Sequence, residues 1–233
     1  LAVAHQALGE GVLALTAVTP YIPHHEVEQA QALAERLGVR HRLIERPLDP
    51  SLQDNPPQRC YLCKRLLFGE FQRIAREAGY AHLLDGTNKD DIGDYRPGLR
   101  ALAELGVRSP LAEAGLTKAE VRAMSRELGL TTWDLPANAC LLTRFPHGTR
   151  ISETDLHRIE QAEDRVAALG LRPLRVRCHG DLARLEVALE ARQRVLELAD
   201  EILPALRALG FRHISLDLAG YRSGSMNPDS SHG

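Results

Sequence analysis

The sequence predicts an α/β fold, a doubly wound parallel sheet accompanied by a second, smaller α+β domain. Three observations predict it. Over the first half of the chain, short apolar runs of strand length alternate with stretches of helical period. Near Pro146-His-Gly148 the organisation changes, after an irregular stretch from Thr131 that carries the only tryptophan. Beyond that point one long helix, two strands of alternating polarity, a further helix and a last strand give an α-β-β-α-β order. The predicted division is therefore residues 1–148 for the sheet domain and 149–233 for the smaller one.

The first residues, Leu1 to Leu8, read as an amphipathic helix closed by Gly9. Val12 to Val18 is a nearly continuous apolar run, the pattern of a buried parallel strand. His24 to Leu37 places Val27, Ala30, Leu33 and Leu37 on one helical face. His41 to Glu45 reads as a short strand, and Cys63 to Ala78 as a helix with Leu66, Leu67, Phe71, Ile74 and Ala75 as its apolar stripe. Ala81 to Asp85 reads as a strand entering a polar loop. Thr117-Lys-Ala-Glu120 is a capping box that opens a helix ending at Gly129, and Ser152-Glu-Thr-Asp155 opens another that runs to Leu169. Strands at Leu174–Arg177 and Ala183–Val187, a helix over 191–209 and a strand from Phe211 to Leu218 complete the chain.

Composition narrows the classes. Hydrophobic content of 44%, charged content of 26% and a net charge of −2 describe an ordinary globular protein with a real core. The balance gives no general basic field for nucleic acid, and no apolar run reaches the length of a membrane span. Four cysteines without a secretory signal fit a reducing cytoplasm.

The chemistry gathers at a few places. Cys60-Tyr-Leu-Cys63 puts two thiols one turn apart at a helix start, and Cys140 follows in Asn138-Ala-Cys-Leu. Three thiolates can hold three corners of a 4Fe–4S cluster, or one can act as a nucleophile that the others resolve. A lone Cys-x-x-Cys is also met in redox motifs and half zinc sites, and buried free thiols are the plainer reading. Asp85-Gly-Thr-Asn-Lys-Asp-Asp91 lies at a predicted strand's carboxyl end, where open α/β sheets bind ligands. There Gly86 permits close backbone approach, Thr87 and Asn88 can donate to phosphate or ribose oxygens, and Asp90 and Asp91 can coordinate Mg²⁺. A solvated turn has the same composition. Arg96 and Arg100 would bring two cations to an anionic ligand. Arg175 and Arg177 share one face of a strand because alternate residues point together, and paired guanidinium groups suit phosphate or carboxylate.

Taken together these motifs resemble the LarE family. The resemblance rests on Cys60-Tyr-Leu-Cys63-Lys64, Asp85-Gly-Thr-Asn-Lys-Asp-Asp91, Gly93-Asp-Tyr-Arg-Pro-Gly98, Val107-Arg-Ser-Pro-Leu111 and Ala139-Cys-Leu141. It continues through Arg144-Phe-Pro-His-Gly148, His179-Gly-Asp-Leu-Ala-Arg184 and Asp217-Leu-Ala-Gly-Tyr-Arg-Ser-Gly-Ser-Met-Asn227, nearly the whole chain. The family comprises ATP-dependent sulfur transferases that help make the nickel-pincer nucleotide cofactor of lactate racemase. The resemblance implies a Rossmann-like PP-loop ATP pyrophosphatase domain. That family's Ser-Gly-Gly-x-Asp-Ser loop is absent here, and the expectation is that it lies upstream of residue 1.

The implied reaction adenylates a carboxylate of pyridinium-3,5-biscarboxylic acid mononucleotide with ATP and then transfers sulfur. Cys140 matches the cysteine that single-cysteine members sacrifice. The three-cysteine set Cys60, Cys63 and Cys140 implies the type that holds a 4Fe–4S cluster carrying an extra sulfide. Gly86, Thr87, Asn88, Asp90 and Asp91 are implied for the nucleotide and Mg²⁺. Arg96, Arg144, Arg175, Arg177, Glu186 and Arg222 are implied for substrate phosphate or carboxylate. An active site between the domains, a homo-oligomer and a sulfur source such as sulfide are further implications. The competing readings are a tRNA-thiolating PP-loop enzyme and a non-catalytic iron–sulfur or nucleotide-binding protein.

Overall fold

A computed structural model describes residues 1–93, 97–135 and 139–222. Arg96, one of the expected substrate ligands, lies outside the described residues. In chain order the elements are α1 (Ala2–Leu8), β1 (Leu13–Val18), α2 (His24–Arg36), β2 (Arg40–Glu45), α3 (Pro50–Gln53), α4 (Arg59–Glu77), α5 (Lys89–Ile92) and α6 (Pro97–Glu104). There follow α7 (Pro110–Glu113), α8 (Lys118–Glu127), α9 (Glu153–Ala167), β3 (Leu174–His179), β4 (Leu182–Val187), α10 (Arg192–Glu197), α11 (Ala199–Arg207) and β5 (His213–Leu216). Two compact units result. One combines Leu1–Asn55 with Asn138–Gly233, and the other is Pro56–Ala137. The predicted division at 148 follows chain order, whereas these units follow contacts.

In the first unit, β1 and β2 pair in parallel from Leu13↔Arg40 to Val18↔Glu45, with α2 as the crossover. Gly9 closes α1 at a φ of 52°, a conformation glycine adopts without steric cost. A second sheet has the order β3-β4-β5, antiparallel between β3 and β4 and parallel between β4 and β5. Its apolar face carries Val176, Cys178, Ala183, Leu185 and Val187, all buried. Leu156, Ile159, Ala162 and Val166 of α9 and Ile202 and Leu206 of α11 are buried with them, so α9 and the sheet share one core.

Asn55 closes this unit. It is fully buried, has a φ of +45°, and donates from its side-chain amide to the carbonyls of Leu142, Phe145 and Pro146 at 3.3, 3.0 and 2.9 Å. Its own carbonyl accepts from the Gly148 N–H at 3.1 Å.

The second unit is helical around α4 and α6. Gly98 lets them approach closely: a Cβ there would stand 3.1 Å from Lys64 Cγ and 3.4 Å from the Cys60 carbonyl oxygen. The predicted strand at Ala81–Asp85 is corrected to a single parallel bridge, Leu84↔Arg108, with Asp85 N–H donating to the Arg108 carbonyl at 2.9 Å. Leu84 is exposed, so no apolar burial favours extending the ladder.

Two helix bounds also differ from expectation. α4 starts at Arg59, so Cys60 lies inside its first turn. The helix expected over 191–209 breaks at Leu198, and Pro204 lies inside the second piece, Ala199–Arg207. No described helix is long and apolar enough to cross a membrane.

Candidate active site

The site is built most fully in the first unit, around Cys140 and the polar face of the β3-β4 ladder. Cys140 precedes a short 3₁₀ turn, Leu141–Arg144. Two bonds fix its position. Leu141 N–H donates to the Tyr21 carbonyl at 2.8 Å, which ties Cys140 to the loop that leaves the carboxyl end of β1. Thr143 donates to the Cys140 carbonyl from its N–H at 3.0 Å and from its hydroxyl at 2.8 Å. The end of a parallel strand is where open α/β sheets bind ligands. Thr19, at that end of β1, is 6% exposed, and its hydroxyl has no hydrogen-bond partner among the described residues.

From Thr143 the bonding runs on to the arginines. Arg177 Nη1 donates to the Thr143 carbonyl at 2.6 Å and its Nη2 to Glu186 Oε2 at 2.8 Å. Arg184 Nη2 donates to the other Glu186 oxygen at 3.0 Å, while its Nε lies 3.3 Å from Asp217. The register sets Arg175 opposite Glu186 and Arg177 opposite Arg184. Three guanidinium groups and one carboxylate thus share a face, and both oxygens of Glu186, only 1% exposed, are taken.

Arg175 is the group left over. It is 6% exposed, its Nη2 donates to the Tyr221 hydroxyl at 3.1 Å, and its Nη1 is buried with no partner among the described residues. Burial, and then the nearby Arg144 cation, pull the Arg175 guanidinium below its ordinary pKa, with the Tyr221 hydroxyl and, more weakly, the Glu163 carboxylate opposing. A buried guanidinium N–H without an acceptor is costly, and an oxyanion would relieve it.

Arg144 shows the contrast. Its Nε and Nη2 grip Glu163 at 2.8 and 2.9 Å, and its Nη1 donates to the Ala139 carbonyl and Thr143 hydroxyl at 2.9 and 2.8 Å. Glu163 also accepts the Val176 N–H at 2.9 Å. Arg144 therefore locks the Cys140 turn onto α9 and β3. Arg222 is exposed. The ladder thus brings Arg175, Arg177 and Glu186 together, and Thr143 joins them to Cys140 and Arg144.

The expected nucleotide loop lies in the second unit and is strongly self-bonded. Asp85 accepts the Thr87 N–H at 3.2 Å and the Ser109 hydroxyl at 2.6 Å, and the Thr87 hydroxyl also donates to it. Asn88 and Asp91 form a reciprocal capping box at α5, and Asp90 accepts the Lys118 N–H at 2.9 Å. Gly86 has open space around it, so backbone approach there is unobstructed.

Cys60 is exposed and Cys63 half-buried on the first turns of α4, and all four cysteines are unbridged. Cys60 and Cys63 belong to one compact unit and Cys140 to the other. Among the described residues no three His, Cys, Asp or Glu side chains group so as to hold a metal ion.

Sequence reasoning missed Thr19, Glu163 and Tyr221. Glu163 was legible only as a polar position on α9. Tyr221 lay inside a recognised motif, but its partner stands 46 residues away.

No family model matches the chain. It is 38% identical over 220 residues to the pyridinium-3,5-bisthiocarboxylic acid mononucleotide synthase of Lactiplantibacillus plantarum, covering 94% of this chain and 80% of that protein. It is 42% identical over 229 residues to an uncharacterized protein of Synechocystis sp., covering 97% of this chain and 85% of that one. A shorter match, 41% over 61 residues, links it to the tRNA-cytidine(32) 2-sulfurtransferase of Dinoroseobacter shibae, covering 25% of this chain and 21% of that protein.

Proposed function

Because the chain belongs to the family of pyridinium-3,5-bisthiocarboxylic acid mononucleotide synthases, we propose that it is an ATP-dependent sulfur transferase acting on a pyridinium mononucleotide in the cytoplasm. The substrate is pyridinium-3,5-biscarboxylic acid mononucleotide, and the product is a thiocarboxylate destined for the nickel-pincer nucleotide cofactor of lactate racemase. The observation that carries this reading is the buried Arg175 guanidinium, whose Nη1 has no acceptor among the described residues, on the face that Thr143 links to Cys140.

The reaction has two steps. A substrate carboxylate oxygen attacks the α-phosphorus of ATP, forming a carboxyl–AMP anhydride and releasing pyrophosphate. A sulfur nucleophile at the hydrosulfide level then attacks the acyl carbon. A carbon–sulfur bond forms, the carbon–oxygen bond to AMP breaks, AMP leaves with the electron pair, and the sulfur proton passes to solvent. Adenylation is what makes the second step feasible, since oxide is a poor leaving group and AMP a good one.

The residues divide this work. Arg175 receives a substrate oxyanion, and Arg177 and Glu186 keep the ladder face in register beneath it. Arg144 holds the Cys140 turn. Arg96 and Arg222 add cations toward substrate phosphate or carboxylate. Gly86, Thr87 and Asn88 line the nucleotide. Asp90 and Asp91 would hold Mg²⁺, hard oxygen donors for a hard cation, with orientations fixed by the amides they already accept. Cys60, Cys63 and Cys140 would hold a 4Fe–4S cluster, three soft thiolates leaving one iron without a protein ligand. When bound, such a cluster would supply soft-metal sulfur chemistry, and Cys140 would then be a ligand that is kept rather than a sulfur source that is consumed. A second copy of the chain as oligomer partner, and sulfide or a related donor, complete the proposed partners. The short likeness to a tRNA sulfurtransferase fits shared adenylation chemistry. With a net charge of −2 the chain has no general field for RNA.

The test is anaerobic turnover. Protein given MgATP, the mononucleotide and sulfide is expected to release pyrophosphate, AMP and thiocarboxylate in equal amounts; turnover with tRNA in place of the mononucleotide overturns the reading. About four irons per chain, lost in Cys60→Ser, are expected for a three-thiolate cluster. No iron after reconstitution, with a mass loss of hydrogen sulfide at Cys140 after one turnover, would make Cys140 a sacrificial donor instead.

A further inference from the structure

Two of the buried arginines of this site, Arg144 and Arg175, are held by chemically different partners, and the difference is informative. Arg144 is fixed by Glu163, a carboxylate that cancels its charge. Arg175 is fixed by Tyr221, whose hydroxyl accepts from Nη2 at 3.1 Å and whose ring centroid lies 5.2 Å from the guanidinium carbon. A phenol orients a guanidinium by one hydrogen bond and the ring face, yet leaves its positive charge intact. The carboxylate opposite it in the ladder, Glu186, is already shared between Arg177 and Arg184, and Glu163 is gripped by Arg144. Arg175 is thereby held in place, still charged, with Nη1 undirected toward any protein group among the described residues.

We propose that Tyr221 is the positioning residue that aims Arg175 at a substrate oxyanion, and that Gly220 is what allows it to do so. The turn before Tyr221 is tightly drawn against β4. Asp217 N–H donates to the Leu185 carbonyl and Tyr221 N–H to the Val187 carbonyl, each at 2.8 Å, and the Asp217 carboxylate accepts the Ala219 N–H at 2.8 Å. Gly220 sits between them at a φ of +70°, and a Cβ there would lie 2.8 Å from both the Val187 carbonyl oxygen and a Leu189 methyl. No other residue fits without moving the backbone that delivers Tyr221. Gly220 thus controls a phenol, the phenol controls a guanidinium, and the guanidinium meets the ligand. The ligand class is an oxyanion, the phosphate monoester or a ring carboxylate of the mononucleotide, and the inference rests on the function proposed above.

The experiment is calorimetric titration of the full chain with pyridinium-3,5-biscarboxylic acid mononucleotide, its dephosphorylated nucleoside and AMP. Four proteins are compared: the parent, Tyr221→Phe, Arg175→Ala and the double variant. Tyr221→Phe keeps the ring and loses only the acceptor, so the mononucleotide Kd is expected to rise about tenfold, the loss of one hydrogen bond to a charged group. Combined with Arg175→Ala, the same change is expected to add nothing, while AMP binding stays constant in all four. A loss seen with the mononucleotide alone assigns the phosphate to Arg175; a loss seen also with the nucleoside assigns a carboxylate.

If Arg175→Ala weakens binding but Tyr221→Phe does not, the positioning inference falls and the substrate site stands. Additive losses also overturn it, since Tyr221 would then act independently of Arg175. If Arg175→Ala itself leaves mononucleotide affinity unchanged, the assignment of this face to substrate falls first. Gly220→Ala is expected to reproduce the Tyr221→Phe loss; should it fail to fold, the Tyr221→Phe cycle decides alone.

Discussion

At the scale of single residues, the ladder face separates arginines that stabilise from one that does not. Glu186 is buried between Arg177 and Arg184, so Glu186→Gln leaves two guanidinium groups without their shared counter-charge. Removing one partner from a buried ionic group costs about 3–5 kcal/mol, and a denaturant melt should show a loss of that order. Arg175 behaves in the opposite sense. Arg175→Met removes a buried cation that has an unpartnered N–H and keeps much of the volume, so the melting temperature is expected to hold or rise while mononucleotide binding falls. His179 adds a pH dependence. Partial desolvation of this surface-exposed ring first, then the Arg184 and Arg177 cations, pull its pKa below the ordinary 6.5, with Glu186 opposing. The unfolded chain therefore takes up this proton before the folded one, and its contribution lowers stability as pH falls below 6.5. His179→Asn should flatten that part of the stability profile, which chemical denaturation at several pH values would measure. Little of this was legible in sequence. The alternation that puts Arg175 and Arg177 on one face is local and could be read, but which guanidinium keeps an open donor depends on a carboxylate, a threonine and a tyrosine from three other segments.

At the scale of elements, whatever is encoded within one turn of chain could be read, and whatever needs a distant strand could not. The capping boxes at Thr117–Glu120 and Ser152–Asp155 form as expected, because both partners lie three residues apart. Ser152 accepts the Asp155 N–H at 3.1 Å while Asp155 accepts the Ser152 N–H at 3.0 Å. Ser152→Ala should cost about 1 kcal/mol, the usual loss of an N-cap, and because α9 carries Glu163 it tests how firmly the Cys140 turn is held. The run Ala81–Asp85 misled because its apolar residues suit a strand, whereas a ladder requires a neighbour over several residues and only Leu84 finds one. The same limit hid the start of α4, where the apolar stripe begins later than the helix does. Thr19 illustrates it from the other side, since nothing local marks a threonine as buried at a strand's end.

At the scale of the whole molecule, sequence order and spatial grouping part company. Reading along the chain suggests a change of organisation near 148, yet the segments that flank residues 56–137 belong to one compact unit. Asn55 explains how that unit holds together. It is the last residue before the chain departs, and it bonds three carbonyls of the stretch to which the chain returns. A side chain that serves acceptors some ninety positions away has no local signature. The arrangement has a practical consequence for handling the protein. A peptide bond cut by a protease anywhere within 56–137 should not let the outer pieces drift apart, since Asn55 and the backbone bonds from Leu141 to Tyr21 and from Ile151 to Gln53 still clasp them. A nicked sample is expected to run as two bands under denaturing electrophoresis and as one particle on a sizing column, and Asn55→Ala is expected to lower the denaturant concentration at which the pieces part.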